Sequence, residues 1–207
     1  MDEKRNVQAM RLAAKHYWRQ ALRDWYFTGP ALVLPGIGNI LVAYVPPLIV
    51  AKILATYTNN AHPGASQLLP YILLFVGLWL VGEALWRIAM LALSRAETRG
   101  MERLYVQAMN YLYAKDQSFF NDNFAGSLTK KAIGFGRRYE DLMDTLAFNV
   151  TSSLIPIFFA GFVLWHYSPW LVFSLLVLLL IAGMIVIPLV RRRQKLVIKR
   201  EAASNAM

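Results

Sequence analysis

The chain has 207 residues, 57% of them hydrophobic and 16% charged, with a formal net charge of +10 and a mean hydropathy of +0.39. Soluble domains carry about a quarter charged residues, and the basic residues here lie between long apolar runs rather than on one folded face, which argues against a soluble protein and against a nucleic-acid partner. The sequence has no cysteine, which excludes disulfides, iron–sulfur clusters and thiolate metal sites.

The N-terminal segment, residues 1–28, reads as one amphipathic helix. Val7, Met10, Ala14, Tyr17, Trp18, Ala21, Leu22 and Trp25 form an apolar face, and Arg11, Lys15, Arg19 and Arg23 form a basic ridge at four-residue spacing. Such a helix suits the inner membrane interface, where it meets anionic lipid. The alternative is a helix packed on protein.

Crossing a bilayer takes about 20 mostly apolar residues. Four stretches satisfy this, at about 31–57, 68–93, 146–165 and 170–190. Pro30, Pro35, Pro46 and Pro47 predict a kinked first span whose freed carbonyls are satisfied by neighbouring helices. The loops assign the orientation, because all but Lys52 of the 22 lysines and arginines fall in the N-terminal segment, between the second and third spans (with Arg87 in the inner part of the second span), or after the fourth. Both ends are therefore expected on the cytoplasmic side of the plasma membrane.

The segment between the second and third spans, residues 94–145, stays helix-compatible as far as Lys115, with Met101, Leu104, Tyr105, Ala108 and Leu112 forming a stripe. One helix from Leu68 to Lys115 would be about 70 Å long, far more than the ~30 Å hydrocarbon core needs. After a break at Asp116–Gly126, a second seam of Leu128, Ala132, Phe135, Tyr139, Leu142 and Leu146 alternates spacings of four and three. Gly134 and Gly136 weaken that helix by about 1 kcal/mol each. The fold class expected is all-α: a polytopic membrane helical bundle with long cytoplasmic helix extensions. The fourth span continues as a charged helix to Met207 without a Gly or Pro stop, which reads as a helix cut short.

Chemistry-bearing residues are few. His16, His62 and His166 lie far apart without metal-ligand spacing, and no nucleophile–base–acid set is present. Glu83 and Arg87, one turn apart in the second span, either face a substrate cavity or neutralise each other near the inner interface. Asn39 is a further cavity candidate.

Four short-looped spans with cytoplasmic extensions resemble part of the transmembrane domain of ABC exporters, a six-helix type 1 fold followed by a nucleotide-binding domain. At the tip between the two stalk helices, Phe119-Phe120-Asn121-Asp122-Asn123-Phe124-Ala125-Gly126-Ser127-Leu128 looks like the family's FF-x5-G-x-L signature. The Pro46-Pro47 pair and the Ser168-Pro169-Trp170 entry to the fourth span are similar to the family too. The family often has Arg and then Asp after Gly-x-Leu. This chain has Thr129, Lys130 and Lys131 there, and no acid.

The resemblance implies a partial transmembrane domain over 29–207, with a coupling element at 117–126. Phe119, Phe120, Asn121, Asp122, Phe124 and Gly126 would contact a nucleotide-binding ATPase domain. A second transporter half would complete the molecule as a homo- or heterodimer. No GxxxxGK[ST] phosphate loop exists in this sequence, so ATP and magnesium are expected only on the attached ATPase domain. The competing reading is a stand-alone four-helix membrane scaffold that recruits a cytoplasmic partner through the same tip.

Overall fold

The computed structural model describes residues 2–59, 64–122 and 125–204, and no strand occurs among them. Helix α1 spans Asp2–Arg23 and α2 Trp25–Asn39. A π-helical segment, Ile40–Tyr44, leads into α3 at Val45–Asn59. Next come α4 (Ala65–Tyr113), the short α5 (Gln117–Asp122) and α6 (Ala125–Asp144). A second π segment, Thr145–Thr151, joins α6 to α7 at Ser152–Tyr167, and α8 spans Pro169–Ser204. Four of the continuous helical stretches are long and apolar enough to cross a membrane: Trp25–Thr56, Ser66–Tyr113, Gly126–Tyr167 and Pro169–Val190.

The prolines explain the irregular segments. Each removes one backbone donor and crowds the carbonyl four residues earlier. Pro46 and Pro47 immediately follow the first π segment, and Pro156 closely follows the second. Wider π turns accommodate these interruptions without ending the helix. Thr151 Oγ1 helps by donating to the carbonyls of Leu146 at 3.0 Å and Ala147 at 3.3 Å.

The chain divides into two units, residues 1–157 and 158–207. In the first, α2 and α4 cross at glycine. A Cβ added to Gly38 would lie 2.8 Å from the Trp86 ring and 3.1 Å from the Gly82 carbonyl, and one on Gly82 would lie 3.1 Å from the Gly38 carbonyl. This is the small-residue contact by which helices approach in a membrane, where apolar burial supplies little drive.

Farther along α4, the helix packs on α6 through two reciprocal insertions. The Tyr139 ring of α6 occupies the space beside Gly100, and the Tyr105 ring of α4 occupies the space beside Gly136. Gly136 thus has a packing reason, while Gly134 meets nothing within 4 Å and the structure gives none. Tyr139, Leu104, Met143 and Ala147 form the buried centre, with Met101, Phe135, Leu142 and Leu146 packed around it. The two predicted stripes therefore meet each other.

The predicted apolar face of α1 splits. Tyr17 and Ala21 are buried, together with Gln20, while Met10, Trp18 and Leu22 remain exposed. The reason lies on α6: Tyr17 stacks near Phe135 at a centroid distance of 5.0 Å and donates its hydroxyl to the Phe135 carbonyl at 2.8 Å. Burial pushes the Tyr17 phenol above its ordinary range, with Arg138 partly opposing, so it stays a donor at neutral pH. One side of α1 is thus a protein contact and the other is left for a different environment.

The second unit contains the end of α7 and all of α8. Their junction is tight, with Ser168 N–H donating to the Leu164 carbonyl at 2.8 Å and Leu171 N–H to the Ser168 carbonyl at 3.1 Å. Trp165 and Trp170 are exposed at this turn, as suits aromatic side chains at a membrane–water interface.

Candidate functional site

α4 is 49 residues long, which corresponds to about 70 Å at ~1.5 Å per residue. Helix α6 runs alongside its distal part, and α5 joins the two at the far end. Phe119 and Phe120 lie on α5 with rings edge-to-face at 5.6 Å, both half-buried, and the Phe119 N–H donates to the Asp116 carbonyl at 3.1 Å. Asn121 and Asp122 complete the helix. Asn123 and Phe124 lie outside the described residues, and Gly126 is exposed in the first turn of α6. The tip is thus a short helical turn carrying two adjacent aromatic rings at the end of a two-helix stalk.

Within the membrane-length part of α4, Glu83 and Arg87 share one face and line a shallow depression of about 270 Å³ with Trp86 and Met90. They do not close an ion pair: the one such pair among the described residues is Arg103–Asp24. Asn39 lies nearby, with both ends of its amide engaged. Trp86 Nε1 donates to Asn39 Oδ1 at 3.2 Å, and Asn39 Nδ2 donates to the Ser152 carbonyl at 3.1 Å.

That carbonyl is the one Pro156 leaves without its helical partner, four residues on. Asn39 supplies the missing donor from another helix and so ties α2, α4 and α7 together. Trp86 also stacks on Phe148 at 5.9 Å with an interplanar angle of 4°. Replacing Asn39 with leucine should cost about 1–3 kcal/mol, the usual penalty for stranding a buried polar group. Restoring the N–H with Pro156→Ala should recover much of that loss in thermal unfolding of the purified protein. Equal losses from Asn39→Leu in both backgrounds would contradict this account.

The residues that sequence reasoning missed sit where α1 turns into α2. Asp24 is only 2% exposed. Its carboxylate accepts from Arg103 Nη1 at 2.6 Å, Gln20 Nε2 at 3.2 Å and the Tyr26 hydroxyl at 3.3 Å. Arg99 Nη1 donates to the Tyr26 hydroxyl at 2.9 Å, and its guanidinium lies 4.8 Å from the centre of the Phe27 ring. Three of the four buried polar side chains among the described residues, Gln20, Asp24 and Thr28, belong to this turn. The network fixes the α1–α2 corner to the stalk. In sequence its signal was a lone acid between a basic ridge and the first apolar run.

These features define a helical integral membrane domain whose second long helix extends far beyond a bilayer's thickness. Residues 31–207 match the family model for the ABC transporter transmembrane region, and the chain belongs to that family. Comparisons with curated proteins and with solved structures each returned no match.

Proposed function

We propose that this chain is the membrane-spanning part of an ATP-driven exporter, forming part of the translocation path and receiving force from a nucleotide-binding domain through residues 117–126. The observation that carries this reading is α4 itself: 49 residues, interlocked with α6 over its distal part and ending at α5. A lever of that length is useful only if something acts on its end. Phe119 and Phe120 supply apolar area that an interface can bury. The paired Tyr–Gly insertions make the two helices move as one body, which suits rigid transmission.

In this reading residues 1–28 form the interfacial element and residues 29–207 a partial transmembrane domain. Both termini lie in the cytoplasm, and the molecule resides in the plasma membrane. A second half, identical or different, completes the path. ATP and magnesium bind the attached ATPase domain, which supplies the hydrolysis. Glu83, Arg87 and the neighbouring Asn39 face the path, where Glu83 and Arg87 offer charges not consumed by each other.

The test uses the absence of cysteine. A single Asn121→Cys variant, placed in the complete transporter, is expected to cross-link to a cysteine on the ATPase domain, with an efficiency that changes on ATP addition. An Asn121→Cys variant that is freely labelled by a water-soluble thiol reagent and never captured by the ATPase domain would contradict coupling through this element. Capture by an unrelated cytoplasmic protein would favour the scaffold reading.

A further inference from the structure

Glu97 lies on α4 about one turn beyond Leu93, in the stalk rather than the span. Its Oε1 is shut off from solvent, and no N–H or O–H group donates to it. What reaches Glu97 instead is a second acid: the Asp144 carboxyl of α6, hydrogen-bonded to it across the helix pair. Two ionised carboxylates repel each other at such a distance, whereas a carboxyl that keeps its proton donates to its neighbour. The contact therefore needs one proton held in common.

The surroundings favour keeping that proton. Glu140 on α6 adds a further negative charge, and the charges acting on Glu97 include no cation. Arg103 and Asp24 engage each other and act on the neighbouring Tyr139 hydroxyl, as Glu97 does. That hydroxyl is buried, pushed up to about 12, and stays neutral. Burial first, and then Asp144 and Glu140, push Glu97 from the ordinary carboxylate range up to about 8. A metal ion also joins carboxylates, but no group of three or more acidic or histidine side chains that could hold one occurs among the described residues.

The position of the pair gives the proton a mechanical consequence. Asp144 ends α6 and immediately precedes the π segment Thr145–Thr151. Glu97 is three residues from Gly100, beside which the Tyr139 ring is inserted. A bond here ties the two stalk helices together next to that insertion. We propose that Glu97 and Asp144 share one proton and form a clasp between α4 and α6, closed while the proton is held and forced open by charge repulsion once it is released to solvent. The clasp rests on the packing of α4 against α6 and not on the transport reading. Under that reading, it makes the rigidity of the stalk depend on the pH around it.

Infrared titration of the detergent-purified full chain tests the shared proton. The unaltered protein is expected to lose one protonated-carboxyl band as the pH rises through about 8. Glu97→Gln should abolish that band. Asp144→Asn, which removes the adjacent charge and supplies an amide donor, should move its loss about one pH unit or more lower. The folded value lies above the unfolded one, so the pair's contribution to stability is complete below the ordinary carboxylate range and is lost progressively as the pH rises through about 8. The thermal midpoint should fall across that window in the unaltered protein and much less in Glu97→Gln.

Opening is read as a distance. The sequence has no cysteine, so spin labels on Thr98→Cys and Thr145→Cys, both exposed next to the pair in sequence, report the separation of α4 and α6. It should widen between about pH 6 and about pH 9 in the otherwise unaltered chain. In Glu97→Gln, whose amide donates to Asp144 at every pH, it should stay constant. A band that survives Glu97→Gln, or no carboxyl titrating above neutrality, would overturn the shared proton. Equal widening with and without Glu97 would overturn the clasp. Loss of the band on adding calcium or magnesium at about pH 6 would overturn it too, and would give the pair to a metal ion.

Discussion

Replacing Asp24 with alanine is expected to destabilise the first unit by about 3 kcal/mol, the lower end of what removing one partner of a buried ion pair costs. The lower end applies because the Arg103 side chain is 30% exposed and can recover some hydration, while Asp24 is 2% exposed. The substitution also strands the buried Gln20 Nε2, a donor to the same carboxylate, and frees the exposed Tyr26 hydroxyl from it. For a chain of this size the loss corresponds to a fall of roughly 6–12 °C in the thermal midpoint of the detergent-solubilised protein. Removing both charges, as Asp24→Leu with Arg103→Met, should recover much of it, since no buried charge is then left alone. A double variant as unstable as Asp24→Ala would show that the α1–α2 corner is held by something other than this pair.

A comparable loss is expected from Gly100→Leu. A single Cβ at Gly100 would already lie 2.1 Å from Tyr139 Cε1, and the Tyr139 side chain is fully buried with nowhere to retreat. Glycine-to-alanine in a helix ordinarily gains up to about 1 kcal/mol. Here the insertion of extra atoms into a closed contact should instead cost about 1–3 kcal/mol or more. Under the proposed function it should also uncouple ATP hydrolysis from transport in the assembled transporter, because α4 and α6 would no longer move together. Gly134→Leu, with nothing within 4 Å of its Cβ, is the matched control and should leave both stability and coupling near their starting values. The account of the stalk fails if the two variants behave alike.

Length and periodicity carried much of the fold. Four apolar stretches, a long uninterrupted segment after Leu68, and two apolar stripes that need partners are all local properties, and local properties survive without knowledge of packing. The stripe of Met101, Leu104 and Tyr105 and the seam of Ala132, Phe135 and Tyr139 proved to face each other. What stayed hidden depends on pairs distant in sequence. The Ser152 carbonyl needs a donor because of Pro156, but nothing near Pro156 says that Asn39 provides it. Gly136 looks like a helix weakness until the Tyr105 ring is placed beside it.

The α1 helix shows the same limit. Its apolar arc was too wide for one contact, and only the position of Phe135 decides that Tyr17 turns inward while Trp18 stays out. The two π segments follow from the prolines in hindsight, though their spacing alone did not give their extent. At the tip, the aromatic pair Phe119–Phe120 was legible as a motif, and the structure adds that it sits on a short helix between the two stalk helices.

The central claim is that α4 carries the α5 turn well clear of the bilayer. Spin labels placed singly along exposed positions of α4, from Leu91 to Tyr113, and at Ser118 on α5, would report collision with oxygen dissolved in lipid against a water-soluble relaxant in reconstituted vesicles. Labels at Tyr113 and Ser118 are predicted to be accessible to the aqueous reagent alone, with the change from lipid to water falling near Leu93. A lipid-like response at Ser118, or a second return to lipid between Thr98 and Tyr113, would contradict it.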